Sequence, residues 1–230
     1  MNFTQRVTNV ESPLSPSSNF RRKRIKLLMD LVGQVYRKQG FVTVIDVGGR
    51  RNYWNCVSRE FLFRHQVTVT IVNLPGDLAV PAEDEIEFRY AEGNGCELSI
   101  FPDNSFDIAH SNSVIEHVGS WENMCSFARE IRRLAPNHYV QTPYFWFPIE
   151  PHFMKPCFHF LPRPLQAGLV RRFNLGHFVK ATSVGDALRK IEGINLLDKK
   201  MLAELFPDAS ILREKVCGLT KSLIAYRQPP

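Results

Sequence analysis

The sequence predicts an α/β fold on a doubly wound, Rossmann-like parallel sheet whose last strand runs antiparallel. Three observations predict it. Short β-branched runs alternate with helical periodicity from residue 21 to residue 141, the pattern of parallel strands joined by right-handed crossovers. The run Val42-Thr-Val-Ile-Asp46-Val-Gly-Gly49 reads as a buried central strand ending in an acid and paired glycines, and such strand ends shape ligand sites in open α/β sheets. The runs Ile211 to Val216 and Ser222 to Arg227 are joined through Gly218-Leu-Thr220, a connection short enough to demand a hairpin.

Each element has its own signal. Residues 1–20 are polar and rich in Ser and Pro, lack the apolar stretch of a secretory signal, and read as a mobile tail before a single domain over 21–230. Ile25, Leu28, Leu31, Val32 and Val35 recur at helical spacing over 21–39, with Gly40 as the stop. The first strand spans 42–47 and a helical stretch 53–64. The second strand, 67–72, ends at Asn73. Ile86 to Tyr90 is a third strand. Ser105 to Ala109 is a fourth, entered through the turn Pro102-Asp-Asn104. Trp121 to Leu134 is a strong helix and Tyr139-Val-Gln141 a fifth strand. Residues 143–195 interrupt the pattern as a lid or insertion; positions 143–180 hold Pro143, Pro148, Pro151, Pro156, Pro162 and Pro164 together with Tyr144, Phe145, Trp146, Phe147, Phe153, Phe158 and Phe160. Met201 to Leu205 is helical.

Composition narrows the function. A hydrophobic share of 44% supports a substantial core, and no apolar run approaches the roughly 18 residues of a membrane span. The five cysteines are scattered, odd in number and free of CxxC spacing, which favours reduced thiols in the cytoplasm over disulfides or zinc. The formal net charge of +6 gathers at Arg21-Arg-Lys-Arg24 and Arg171-Arg172. The first cluster has no interleaved aromatics of the kind single-strand binders use, so a solvated helix face is the plainer reading.

The strand ends deliver Asp46-Val-Gly-Gly49, Asn73, Glu92-Gly-Asn-Gly95 and Ser111-Asn112 to one edge. With these residues residues 42–143 resemble a class I S-adenosylmethionine-dependent methyltransferase. Phe101-Pro-Asp-Asn-Ser-Phe-Asp-Ile-Ala-His-Ser-Asn-Ser-Val-Ile-Glu-His-Val118 is similar to the fourth-strand motif of the small-molecule, type 11 branch. Gln141-Thr-Pro143, Phe147-Pro-Ile-Glu-Pro-His-Phe153 and Gly218-Leu-Thr-Lys-Ser-Leu-Ile-Ala225 resemble a subgroup of that branch. The resemblance implies a seven-stranded sheet with an antiparallel last strand. It implies S-adenosylmethionine as cofactor, with Asp46, Gly48 and Gly49 at its methionine end, Asn73 and Leu74 at the ribose, Asn94 and Gly95 at the adenine, and Ser111 and Asn112 facing the methyl group and acceptor. This chain departs from the pattern in three places. The first loop lacks a third glycine and continues Arg50-Arg51-Asn52-Tyr53-Trp54, and Asn stands at 73 and 94 where an acid is usual. Asn still hydrogen-bonds hydroxyl and amino groups, without the strengthening a charge brings.

A hydroxyl acceptor needs a general base within hydrogen-bond reach. His152, just past the fifth strand, is the first candidate, and Glu150 reads equally as a residue that orients it or as a solvated acid. His117, just past the fourth strand, is the second. Both also have readings as structural histidines. Glu150, His152 and His159 are too irregularly spaced across prolines to suggest a metal site. Tyr53 and Trp54 read equally as cofactor-pocket lining or core. The aromatics of 144–160 read as lid core, acceptor pocket or a peripheral membrane contact aided by Arg163, Arg171 and Arg172. The acceptor is expected to be a small molecule, a sugar or a lipid-linked intermediate. Two alternatives stand beside this: a catalytically inactive S-adenosylmethionine-binding protein, motivated by Asn73 and Asn94, and a nucleic-acid methyltransferase, motivated by the basic balance. A nicotinamide reading is poorer, since the first turn lacks Gly-x-Gly-x-x-Gly and no acid follows about 20 residues on, and a P-loop is excluded, since no Gly-Lys-Ser/Thr follows a strand.

Overall fold

The computed structural model describes residues 16–80 and 86–229. Helix α1 (Pro16–Gln39) leads into β1 (Val42–Val47), then two short helices, α2 (Arg51–Trp54) and α3 (Arg59–Arg64), and β2 (Val67–Asn73). Next come β3 (Phe88–Glu92), β4 (Ile108–Asn112), a 3₁₀ turn at Ile115–His117, helix α4 (Trp121–Leu134) and β5 (Asn137–Pro143). The chain closes with α7 (Lys199–Leu205), β8 (Ser210–Val216) and β9 (Leu219–Arg227), after a lid that holds β6 (Ile149–Glu150), β7 (Lys155–Pro156), α5 (Arg163–Arg172) and α6 (Val184–Glu192).

The main sheet has seven strands in the order β3-β2-β1-β4-β5-β9-β8. Strands β1 to β5 pair in parallel, while β9 runs antiparallel to both β5 and β8. Order reverses between β1 and β4, so their carboxyl ends open the crevice where such sheets take ligands. Side chains alternate between the faces. Ile45 and Val47 join Phe127, Ile131 and Leu134 of α4 on one side. Val42 and Val44 join Leu28, Leu31, Val32 and Val35 of α1 on the other. The amphipathic stripe of α1 is therefore spent on the sheet, and Gly40, at φ +80°, ends the helix as expected. No helix among the described residues is long and apolar enough to cross a membrane.

Several boundaries differ from the sequence reading, for physical reasons. Residues 1–15 of the expected tail lie outside the described residues, and 16–20 are already helical. The helical stretch 53–64 is two helices, because Ser58 caps α3 by accepting from the Phe61 N–H. The third strand runs from Phe88 to Glu92. The fourth begins at Ile108 rather than Ser105, since the Asp107 carboxylate is bonded to Thr43 N and Oγ1, both at 2.7 Å. It then continues through His110 and Ser111, polar residues that are wholly buried. Strand β5 likewise extends through buried Gln141 and Thr142. In the last hairpin, Leu219 to Lys221 are strand, and the turn is Cys217-Gly218 alone, both at positive φ (+48° and +83°), the two-residue geometry that matches strand twist.

The lid has a core of its own. Phe153 and Phe158 pack with Ala167, Val170, Leu175, Ala187 and Ile191. Pro164 sits in the first turn of α5, where a missing N–H costs nothing. Part of the aromatic run is thus lid core, while Trp146 and Phe160 stay exposed and pack on each other at 5.8 Å.

Candidate active site

A cleft of about 620 Å³ lies at the carboxyl ends of β1 to β4, within the roughly 300–1,000 Å³ usual for ligand pockets. Its wall includes Gly48, Arg50, Asn73, Leu74, Asp77, Asn94, Gly95, Ser113, His117 and Asn123, with Val47, Val72, Val114 and Phe127 as apolar lining. Gly48 adopts φ +72°, and a Cβ there would meet Val114 at 2.6 Å. At Gly95 a Cβ would meet Phe127 at 2.8 Å and Val47 at 2.9 Å. Glycine at both positions lets these side chains approach the backbone this closely.

Of the residues expected at the cofactor, Gly48, Asn73, Leu74, Asn94 and Gly95 line this cleft. The two asparagines are built into it. Asn73 Nδ2 donates to the Gly49 carbonyl at 3.2 Å while its Oδ1 accepts from Leu74 N at 3.1 Å. An aspartate has no proton to give that carbonyl. Asn94 Oδ1 accepts from Cys96 N at 3.0 Å and closes the turn after β3.

Asp46, Gly49, Ser111 and Asn112 are placed differently. Asp46 is buried beneath the cleft. Its carboxylate accepts from Trp54 Nε1 and from His110 Nδ1, both at 2.7 Å. Gly49 packs against that carboxylate so closely that a Cβ would lie 2.0 Å from it. Ser111 Oγ donates to the Val47 carbonyl at 2.9 Å and ties the ends of β4 and β1 together. Asn112 Oδ1 accepts from Arg24 of α1, which also reaches Gln141. Ser113 and Val114, the next residues along, take the cleft wall instead. Trp54 is core rather than lining, 2% exposed.

A polar cluster stands at the meeting of cleft and lid. His152 from the lid packs edge-on against His117 of the cleft wall, with ring centroids 4.8 Å apart. His152 Nδ1 bonds Glu150 Oε1 at 2.6 Å, and the buried Glu150 also accepts from Phe153 N. Of the two readings of Glu150, orienting His152 or merely solvated, its burial and this hydrogen bond fit the first. His117 Nδ1 bonds the Gly193 carbonyl at 3.0 Å. Beneath them lies Glu116, wholly buried, with Oε2 accepting from Thr142 Oγ1 at 2.9 Å. Burial pushes the Glu116 carboxyl up to about 7 and pulls the His117 imidazole down. His159 Nε2 is bonded to the Phe145 carbonyl at 2.7 Å, and its ring lines a second hollow together with Glu150.

The sequence reading missed Glu116, Asp77, Ser113 and Asn123. Glu116 precedes a named candidate, and the signal for it was an acid inside an apolar segment. Asp77 follows β2 through a turn, its N–H donating to the Leu74 carbonyl at 3.0 Å. It brings to the cleft the carboxylate that position 73 lacks.

The donor set suits S-adenosylmethionine, whose ends are polar and whose middle is not: amide and carboxylate groups at 73, 77, 94 and 123 alternate with valines and a phenylalanine. A family model described as a methyltransferase domain matches residues 60–137. No curated protein matches the sequence. Among solved structures, a geranyl diphosphate methyltransferase in complex with SAM aligns at 12% identity, covering 95% of this chain and 93% of the other, with a TM-score of 0.51. A SAM-dependent methyltransferase from Aquifex aeolicus aligns at 14% identity over 98% of both chains, TM-score 0.49. An O-methyltransferase family protein from Burkholderia thailandensis aligns at 15% identity and TM-score 0.48; the chain covers 64% of its length. Residues 60–137 thus match a methyltransferase domain, and the sheet order is that of the Rossmann-like methyltransferase fold.

Proposed function

We propose that the protein transfers a methyl group from S-adenosylmethionine to a small-molecule, sugar or lipid-linked acceptor bearing a hydroxyl. The observation that carries this is the contact of His117, in the cleft wall, with His152, which Glu150 orients from the lid. When bound, the cofactor supplies a methyl group on a positively charged sulfur. Gly48, Asn73, Leu74, Asn94 and Gly95 hold it, joined by Asp77, while Asp46 and Gly49 shape the turn beneath. Ser111 and Asn112 support the edge from behind. The lid keeps water out and the acceptor aligned.

A second hollow of about 300 Å³ lies between the lid and α7, lined by Phe145, Glu150, Phe158, Gln166, Ile194 and Met201 among others. It shares Glu150 with the cluster, and we assign it to the acceptor body. His152 Nε2 then takes the hydroxyl proton, because its Nδ1–H is held by Glu150; His117 presents a second Nε2 beside it. A lipid-linked acceptor gains support from the lid surface. Leu165 and Phe173 are exposed there, beside Arg171 and Arg172. The five unpaired cysteines fit the cytoplasm.

The asparagines that motivated an inactive binder have local structural partners, which supports retained binding. Several described arginines are paired with acids, Arg132 and Arg227 with Asp208 and Arg133 with Glu130 and Asp103, which speaks against a nucleic-acid surface. Calorimetric titration with S-adenosylhomocysteine tests the reading. Micromolar binding, followed by turnover in a screen of hydroxylated acceptors that His152→Ala lowers by about 10²–10⁴-fold, is expected. A folded protein that binds neither S-adenosylmethionine nor its product overturns it.

A further inference from the structure

Three side chains in the cluster share a feature that proton transfer alone does not use. Glu116 and His117 sit on the 3₁₀ turn after β4 and His152 comes from the lid. One donor atom of each lies within 4.8 Å of the other two. Their outer atoms are already engaged: His117 Nδ1 with the Gly193 carbonyl, His152 Nδ1 with Glu150, and Glu116 Oε2 with Thr142. A nitrogen facing a carbonyl or carboxylate carries the proton, so both rings leave Nε2 as a bare lone pair. Glu116 Oε1 is buried and has no hydrogen-bond partner. Each of the three grouped side chains thus keeps one acceptor beyond its outer bond. An orphaned buried carboxylate oxygen is costly.

We propose that Glu116, His117 and His152 bind a divalent transition-metal ion of the zinc or cobalt class. Two imidazoles and one carboxylate are a known catalytic ligand set for such ions, and three protein ligands leave a position open for substrate. The outer partners match what metal-bound side chains need: a carboxylate on one histidine, a backbone carbonyl on the other and a hydroxyl on the glutamate. Ligand atoms about 2.0–2.2 Å from one ion in a tetrahedral set sit roughly 3.4 Å apart, so the side chains draw in by about an ångström as the ion seats. The chemical role of the ion rests on the methyltransferase reading; the site itself does not. An ion there lowers the pKa of an acceptor hydroxyl it contacts. The hydroxyl proton then passes to water, the oxygen–methyl bond forms, and the sulfur–methyl bond breaks with its electron pair staying on sulfur. Ion and proton compete for the same lone pair on His152, so the ion takes over the activation that His152 performs without it.

The test uses the full chain without an affinity tag, stripped by chelator and dialysed, then titrated with Zn²⁺ and Co²⁺. Expected are one ion per chain and a visible Co²⁺ absorption band from a four- or five-coordinate nitrogen–oxygen set. Glu116→Gln and His152→Gln should weaken binding roughly 100-fold or more, and Glu150→Gln about 10–100-fold. His65→Gln, on the far side of the sheet, should leave it unchanged. Thr142→Val, which removes only the hydroxyl on Glu116, should weaken it about 10-fold and serves if the larger changes misfold. Absence of stoichiometric binding, or equal binding in Glu116→Gln, His152→Gln and Thr142→Val, overturns the proposal. Titration with S-adenosylhomocysteine on the same samples separates the two readings: cofactor without ion sinks only the metal site, and ion without cofactor sinks only the methyltransferase function.

Discussion

Asp46 opens the glycine motif, yet its carboxylate holds Trp54 and His110 rather than facing the cleft. Removing it by Asp46→Ala strands two buried donors, and an unfolding free energy lower by about 2–4 kcal/mol is expected in urea melts followed by tryptophan fluorescence. Gly49→Ala attacks the same point from the other side, since its methyl would stand 2.0 Å from that carboxylate; a loss of similar size should appear in the same melts. Asn73→Asp exchanges a donor for a charge beside the Gly49 carbonyl. Calorimetry should show weaker binding of S-adenosylhomocysteine, by about 1–2 kcal/mol or roughly 5–30-fold. The position of the motif was legible in the sequence. The task of its acid was not, because His110 lies 64 residues away and looks, in a strand, like an interruption.

Strand β5 shows how far an element's neighbours decide its chemistry. His138 is wholly buried, packs on Phe206 at 5.2 Å, and neither ring nitrogen has a hydrogen-bond partner. Burial pulls its imidazole down to about 4, against about 6.5 in an unfolded chain. Between those values the unfolded state binds the extra proton, so stability falls as pH drops through 6.5 and levels off, for this group, below 4. The full effect is about 3 kcal/mol. His138→Leu should flatten that acid limb in denaturation midpoints measured from pH 7.5 to 4. The elements whose interiors are apolar, β1, β2 and α4, were legible at close to their true bounds, as was the C-terminal end of α1. Strand β4 was read three residues early and β5 was read short, because buried polar residues there have partners from distant segments. Helices α5 and α6 were hidden behind prolines that turn out to stand before or within the first turn of α5.

For the molecule as a whole, the site depends on parts brought from both ends of the chain. Arg24 of α1 reaches Asn112, Gln141 and, at 3.5 Å, Glu214. The lid contributes half of the polar cluster. The sequence placed His152 in an expected lid or insertion; the pairing of His152 with His117 needed the folded chain. Because the cleft exists only in the native state, ligand at about 100 times its dissociation constant should add about 2.7 kcal/mol and raise the melting temperature by roughly 5–10 °C. Differential scanning with S-adenosylhomocysteine checks this, and an unmoved transition would mean that the native protein does not bind it.

The place of β9 has a consequence for how the protein is made. It leaves the ribosome after every other described strand, yet it lies between β5 and β8. Until residue 227 has emerged, one flank of β5 offers Tyr139, Val140 and Gln141 as an unpaired edge, a template for any other extended chain nearby. Biogenesis therefore passes through a nearly complete sheet with an open seam, and that seam is where a chaperone, or a neighbouring nascent copy, meets the polypeptide first.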